Sequence, residues 1–132
     1  MNISAIVRSS SSHHDVAVST AEIKQSISVP AKPFGGSAIN GGEFLMLALA
    51  TCYCNDLYRE AAMLDIPIDS VEVEASADFP GIGLAATNIR YRVKVSSPAP
   101  AARIAELLRQ TDAVAEVHNT LRAGVSVTME SA

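Results

Sequence analysis

Two cysteines stand two residues apart in the most apolar stretch of the chain. Cys52 and Cys54 lie in the run from Phe44 to Cys54, where Thr51 is the one clearly polar residue. A thiolate is a nucleophile and a metal ligand, but an unpaired cysteine also packs as a small hydrophobe. On a helix, residues two apart point about 200° away from each other. The two thiols therefore cannot face one pocket or easily form a disulfide, and we expect that one can be catalytic while the other packs.

Metal binding is a second chemistry that these residue types could support. The soft-ligand candidates are Cys52, Cys54, His13, His14 and His118. The Cys-x-Cys spacing on a helix does not converge on one ion, and the histidine pair lies in a serine-rich turn. We therefore expect no metal, and the absence of a nucleotide-binding fingerprint predicts no cofactor. The third histidine follows an apolar helical turn, where such a residue more often makes an edge hydrogen bond than contacts a site.

The stretch from Asn40 to Leu64 must position the thiols, and its composition predicts one long helix. Leu, Ala and Met are strong helix formers, and no proline interrupts the stretch. Asn40 to Gly42 mark the N-terminus of the helix, and the negative charge of Glu43 in the first turn suits the helix dipole. Ile66-Pro67 then ends it. The first half shows no polar face, which predicts burial on all sides, whereas the second half is amphipathic and predicts that three charged residues point to solvent: Asp56, Arg59 and Glu60.

A fully buried helix is difficult to accommodate in a chain of 132 residues. A lone domain of this size buries only about two-thirds of its unfolded surface, so we predict a homodimer whose symmetric partner covers the helix. The apolar run is shorter than the roughly 20 residues that span a bilayer. The net charge of −4 argues against nucleic acid and membrane partners. With no signal-peptide pattern and no disulfide framework, we expect a cytoplasmic protein.

The remaining elements predict an α+β fold with mainly antiparallel sheets, in a single domain over residues 1–132. Period-2 alternation predicts strands at residues 3–7, around Val16 and Val18, at 23–29, at 70–77, at 89–95 and at 125–129. A second helix carries Ile104, Leu107 and Leu108 on its apolar face. A break near Thr111-Asp112 is expected to start a third helix, with an apolar face formed by Val114, Val117 and Leu121.

The segment from Asn40 to Cys52 resembles the helix entry of the OsmC/Ohr family, the osmotically inducible and organic hydroperoxide resistance proteins. In that family a hydrophobic helix carries the reactive cysteine near its middle. The segment from Ala115 to Leu121 is similar to the family's Cys-Pro-Val-x-x-x-Leu motif. The resemblance covers nearly the whole chain. It implies two mainly antiparallel sheets around a long central helix, in an intertwined homodimer with a peroxidase-like site at the interface.

The resemblance also implies roles for individual residues. Cys52 falls where the family has its nucleophilic cysteine, and Glu43 matches the glutamate that helps hold an activating arginine. Arg8 is the one arginine of the N-terminal region, and we take it as the candidate for that cation. The chain departs from the family at Ala115, which stands in place of the second, resolving cysteine, and at Glu116, which replaces the following proline. An intramolecular disulfide cycle is therefore not available at that position.

The sequence is compatible with two functions. The first is a one-cysteine, thiol-dependent peroxidase of the oxidative stress response, in which Cys52 reduces an organic hydroperoxide and an external thiol reductant regenerates it. The second is a non-catalytic module that holds a small apolar ligand, with both cysteines as packing residues. The missing resolving cysteine favours the second function, and thiol reactivity discriminates between the two.

Overall fold

The computed structural model of the chain describes residues 1–131 and has an α+β fold with two antiparallel sheets and three helices. The chain divides into two compact units, Met1–Phe44 and residues 45–131. In chain order, the elements are β1 (Ile3–Ser9), β2 (His14–Thr20), β3 (Ile23–Ile27), α1 (Gly41–Met63), β4 (Ser70–Asp78), β5 (Thr87–Ser96), α2 (Ala101–Val114) and α3 (Glu116–Ala123). No helix within residues 1–131 combines the length and the apolar character that a membrane crossing needs.

The first unit is built on the predicted three-stranded meander. β1 pairs antiparallel with β2, with Ser9 opposite His14, and β2 pairs antiparallel with β3. The two outer strands, β1 and β3, carry apolar side chains that stay exposed, including Ile3 at 67%, Val7 at 59% and Ile23 at 70%. Burial of apolar area is the main favourable term in folding, so this sheet gains little from its own side chains.

Helix α1 begins where the sequence predicts, and the structure shows a reciprocal cap at its start. The Glu43 backbone N–H donates to Asn40 Oδ1 at 2.8 Å, and the Asn40 backbone N–H donates to Glu43 Oε1 at 3.1 Å. This capping box satisfies two helix-end donors. The helix ends before Ile66, whose N–H donates to the Ala61 carbonyl at 2.8 Å across Asp65, a residue in the left-handed region with φ of 56°.

The core of the second unit forms where one face of α1 meets α2 and the β4–β5 sheet. Its fully buried members are Tyr53, Leu57, Ala61, Ile66 and Leu107, with valines of both strands packed against them. The opposite face of the sheet is charged. Glu72 lies opposite Lys94, and Glu74 lies opposite Arg92, each pair 3.9 Å apart. This alternation fixes which face of the sheet supports α1.

The prediction that the charged residues of α1 all point to solvent is wrong for two of them. Asp56 and Glu60 are each only 5% exposed, because helical spacing places them beside the buried stripe of Tyr53 and Leu57. The expected burial on all sides is also not found within one chain, since Leu47 remains 57% exposed. That a second copy of the chain covers this side of the helix stays a prediction.

Two further expectations near the C terminus are corrected. Helix α2 continues through Thr111, whose hydroxyl donates to the Leu107 carbonyl at 2.8 Å instead of capping a new helix. The break falls at Ala115, so Val114 belongs to α2. Gly124 ends α3 in the left-handed region. Residues 125–129 are not a strand, because within residues 1–131 no strand pairs with them, and Val127 is 98% exposed.

Candidate active site

Cys52 lies on α1 between two carboxylates. Its Sγ is 3.6 Å from Asp56 Oδ2, one turn further along the same helix, and 3.9 Å from Glu116 Oε2, at the first position of α3. The thiol is half-buried, Asp56 is buried and Glu116 is exposed. We call these three residues the thiol cluster.

The junction between α2 and α3 brings Glu116 to the thiol. Ala115 is fully buried and extended, with φ of −69° and ψ of 106°, and α3 begins directly after it. The backbone N–H of Val117, the second residue of α3, acts to lower the pKa of the Cys52 thiol. A resolving cysteine in place of Ala115 would thus adjoin the thiol cluster, but this chain has a methyl group there.

The surroundings of Cys52 hold its proton on sulfur. Burial raises the pKa of the thiol above its ordinary value, and the neighbouring charges of Asp56 and Glu116 raise it further. The Val117 N–H acts in the opposite direction and is outweighed. The thiol is therefore protonated at neutral pH and donates to Asp56.

Asp56 is the more basic of the two carboxylates and is therefore the candidate acceptor of that proton. Burial and the nearby charge of Glu116 raise its pKa, although Arg59, whose Nη1 is 2.9 Å from Asp56 Oδ1, acts to lower it. At Glu116, the backbone N–H at the start of α3 lowers the pKa of the side chain. Of the two acids that flank the sulfur, Asp56 is the stronger base.

The thiol cluster also has the donors of a soft cation site. Its three ligand atoms lie within 4.8 Å of one another, and one thiolate with two carboxylates could hold an ion such as Zn²⁺. The sequence prediction considered only cysteines and histidines, and so it missed this set. Arg59 supplies a positive charge at Asp56, which balances one of the two carboxylates of the cluster.

Asp56 and Glu116 are thus site residues that the sequence prediction did not assign. The signal for Asp56 was present, because Cys52 and Asp56 are four apart on a predicted helix and such residues are neighbours on its surface. Glu116 gave no comparable signal. It is far from Cys52 in sequence, and the prediction treated it only as a departure from a motif.

The other predicted site residues have different surroundings. Cys54 is free and half-buried beside Thr51, Asn55 and Val73. Arg8 lies on β1 opposite Asp15, and Glu43 closes the helix cap. Both belong to the first unit, whereas Cys52 belongs to the second. That Arg8, Glu43 and Cys52 form one site therefore stays a prediction.

A second feature of the same unit is a cavity of about 220 Å³. Its walls are Leu49, Ile89, Tyr91, His118, Leu121 and Arg122. His118 is only 3% exposed, and neither of its ring nitrogens has a hydrogen-bond partner among residues 1–131. Its ring meets Tyr91 edge-on, with centroids 4.6 Å apart. His118 therefore brings unmet hydrogen-bonding capacity to a mostly apolar cavity.

The charged groups beside the cavity are paired with each other. Arg122 Nη2 is 2.7 Å from Asp112 Oδ1, and the Tyr91 hydroxyl donates to the same carboxylate oxygen. Burial lowers the pKa of His118, Arg122 lowers it further, and the opposing effects of Asp112 and Asp56 are smaller. His118 is therefore a neutral imidazole at pH 7, with one donor and one acceptor nitrogen.

Comparisons with known proteins give a consistent picture of the fold. A family model described as OsmC-like protein matches residues 34–130. An OsmC-like protein structure from Mycoplasma pneumoniae is 19% identical, with 92% of this chain and 86% of that chain covered and a TM-score of 0.63. A comparison with curated proteins found no match.

Two further solved structures carry a functional description. An OsmC-like hydroperoxide resistance protein from Jannaschia is 13% identical, covers 96% of this chain and 87% of its own, and has a TM-score of 0.57. The organic hydroperoxide resistance protein OsmC from Legionella pneumophila is 16% identical, covers 96% and 93%, and has a TM-score of 0.58. At these identities the likeness establishes the α+β fold with two antiparallel sheets.

Proposed function

Because the chain belongs to the OsmC-like protein family, we propose that it is a one-cysteine, thiol-dependent peroxidase that reduces organic hydroperoxides in the oxidative stress response. One observation carries the proposal: the Cys52 thiol donates to Asp56, and the other oxygen of Asp56 accepts from Arg59. Two structures that the chain resembles are described as hydroperoxide resistance proteins. These descriptions support the reaction class proposed here.

The proposed reaction transfers one oxygen atom to sulfur. The thiol proton moves from Cys52 to Asp56 Oδ2, and the thiolate sulfur attacks the terminal oxygen of the hydroperoxide. The O–O bond breaks, and the leaving alkoxide takes the proton back from Asp56. Sulfur is oxidised by two electrons to the sulfenic acid, and the hydroperoxide is reduced to its alcohol.

Asp56 gives this scheme both of its proton transfers. A raised carboxyl pKa makes Asp56 a better base toward the thiol. The carboxylic acid that it becomes is still a much stronger acid than an alcohol, so it can protonate the leaving alkoxide. Arg59 stabilises the carboxylate form between turnovers. The Val117 N–H, at the start of α3, stabilises the thiolate while it exists.

The second half of the cycle requires an external thiol. Ala115 offers no sulfur at the junction of α2 and α3. Cys54 lies beside Thr51, Asn55 and Val73, away from the thiol cluster. We propose that a low-molecular-weight thiol attacks the sulfenic acid, which releases water and forms a mixed disulfide. A second thiol then restores Cys52. A reducing compartment such as the cytoplasm would supply that thiol.

The proposal also includes Arg8, Glu43 and a second copy of the chain. Arg8 would be a further cation for the thiolate, and Glu43 would orient it while its other oxygen keeps the helix cap. The exposed Leu47 of α1 and the exposed Val7 and isoleucines of the first sheet support an obligate homodimer, because an apolar surface of that kind marks an interface.

The direct test is to treat reduced protein with one equivalent of cumene hydroperoxide and quantify oxidation of each cysteine by mass spectrometry. The proposal predicts rapid, stoichiometric sulfenic acid at Cys52 and none at Cys54. Cys52→Ser should abolish hydroperoxide consumption, and Cys54→Ser, the matched control, should retain it. Arg8→Ala should slow it. Slow oxidation that does not distinguish the two cysteines would contradict the proposal.

One observation favours a second candidate, a non-catalytic module that binds a small ligand. The raised pKa of the Cys52 thiol leaves little thiolate at neutral pH, and thiolate is the reactive form. In that case both cysteines would be packing residues, labelled only after denaturation. The same mass-spectrometric experiment separates the two functions.

A further inference from the structure

The unmet hydrogen bonds of His118 indicate what the cavity beside it holds. A polar group buried without a partner is costly, and native proteins rarely keep one without a reason. His118 is 3% exposed, lines the cavity and has no partner for either ring nitrogen among residues 1–131. A ligand in the cavity would supply the missing partner.

The charges around the cavity select an uncharged head group. Arg122, the cation of the wall, already donates to Asp112 Oδ1, to the Asp112 carbonyl at 3.2 Å and to Asn119 Oδ1 at 3.1 Å. Its charge is balanced by Asp112, so an anionic ligand would lose hydration without gaining an unpaired cation. A neutral imidazole instead matches a group that both donates and accepts one hydrogen bond.

The size and the walls of the cavity limit the rest of the ligand. Leu49, Ile89 and Leu121 form an apolar surface, and Tyr91 adds an aromatic ring. An apolar cavity of about 150 Å³ accommodates benzene, so about 220 Å³ accommodates a substituted ring or a branched alkyl chain. Ile89 and Leu121 keep 41% and 36% of their surface exposed, which leaves a route of entry.

We propose that this cavity binds a small, uncharged amphipathic molecule, an alcohol or hydroperoxide with an apolar body, whose O–H group pairs with His118. The inference rests on the cavity and on His118, and it deepens the ligand-binding candidate described above. It holds whether or not Cys52 reacts with peroxides, because none of the thiol cluster lines the cavity. Leu49 is the cavity residue that lies on the same helix as Cys52, one turn before it on α1.

The test compares three probes of similar size: benzyl alcohol, toluene and benzoate. Binding is followed by the methyl NMR signals of Leu49 and Leu121, and the His118 ring signals are identified by their absence in His118→Phe. Benzyl alcohol should shift both methyl groups and the His118 ring saturably. In His118→Phe, its affinity should fall about tenfold while that of toluene is kept, because one neutral hydrogen bond is lost.

Two controls keep the result independent of folding and of the thiol. His118→Gln, which retains a donor and an acceptor, should recover part of the affinity for benzyl alcohol. Cys52→Ser should bind benzyl alcohol as the wild type does, so a failure of peroxidase activity cannot imitate a failure of binding. The proposal is overturned if no probe shifts the two methyl groups, if His118→Phe binds benzyl alcohol as tightly as the wild type, or if benzoate binds more tightly than benzyl alcohol.

Discussion

The thiol cluster and the His118 cavity belong to the same unit, but their polar groups are satisfied in different ways. In the cluster, the thiol donates to Asp56, and Asp56 accepts from Arg59. In the cavity, Arg122, Asp112 and Tyr91 bond to one another, and His118, the most buried polar group, bonds to none of the described residues.

This difference separates two kinds of site. Groups that are already bonded to each other can pass a proton without a partner from outside, which is what the proposed thiol chemistry needs. A buried group without a partner instead carries a cost that a bound ligand can remove. Removal of an unpaired buried polar group and removal of a paired one should therefore change the free energy of unfolding in opposite directions.

Replacement of His118 should produce the largest change in stability. His118→Phe keeps an aromatic ring against Tyr91 and removes two buried nitrogens that have no partner. We expect the free energy of unfolding to rise by about 1–3 kcal/mol, because the desolvation penalty disappears. Urea denaturation of the ligand-free protein measures it. A loss of stability would show that His118 is already satisfied.

Tyr53→Phe is the matched control, since it removes a buried group that has a partner. The Tyr53 hydroxyl donates to the Leu108 carbonyl at 2.9 Å, and burial raises the pKa of that phenol to about 12. Loss of this bond should lower the free energy of unfolding by about 1 kcal/mol. Equal effects of the two phenylalanine substitutions would remove the contrast between paired and unpaired groups.

The pH dependence of stability should show a smaller effect of the same residue. Burial keeps the pKa of His118 below its ordinary value of 6.5, to which it returns on unfolding. Between those two values the unfolded chain binds more protons, so stability is fully present above about pH 6.5 and is lost as the pH falls toward the folded pKa. Arg122 strengthens this shift, and Asp112 and Asp56 oppose it.

Denaturation at pH 7.5 and at pH 5.5 checks this expectation. Between these pH values the wild type should lose more stability than His118→Phe, which has no titratable group at that position. Parallel losses in the two proteins would assign the pH dependence to other groups and leave His118 outside it.

Local patterns in the sequence predicted most of the fold. The capping box at Asn40 and Glu43, the alternation of β4 and β5 and the left-handed Gly124 depend on neighbours along the chain. The C-terminal strand failed because Val125 and Val127 have the alternation of a strand but lack a partner within residues 1–131. Alternation predicts a strand only where another strand is available to pair with it.

The candidate site was predicted in part. The sequence selected Cys52 as the nucleophile, and that role stays a prediction. Asp56 was expected in solvent, because charge alone does not show which side of a helix packs against the core. Glu116 and the cavity depend on where α3 begins, and that start is set by the buried Ala115, whose small side chain carries no local signal. Contacts between elements distant in sequence account for what was missed.

The central claim is that Asp56 accepts the proton of Cys52, and two rate constants in one variant test it most directly. We would measure the reactions of Cys52 with iodoacetamide and with cumene hydroperoxide at neutral pH in the wild type and in Asp56→Asn. Glu116→Gln serves as a matched control, since it removes a charge that also raises the thiol pKa.

Alkylation by iodoacetamide should become faster in both variants, because each loses a negative charge beside the sulfur and the thiol pKa falls. Reduction of the hydroperoxide should fall by about a hundredfold or more in Asp56→Asn, since the proton acceptor is gone, while Glu116→Gln retains it. If Asp56→Asn instead accelerates both reactions, Asp56 only holds the thiol protonated, and the proposed proton transfer is wrong.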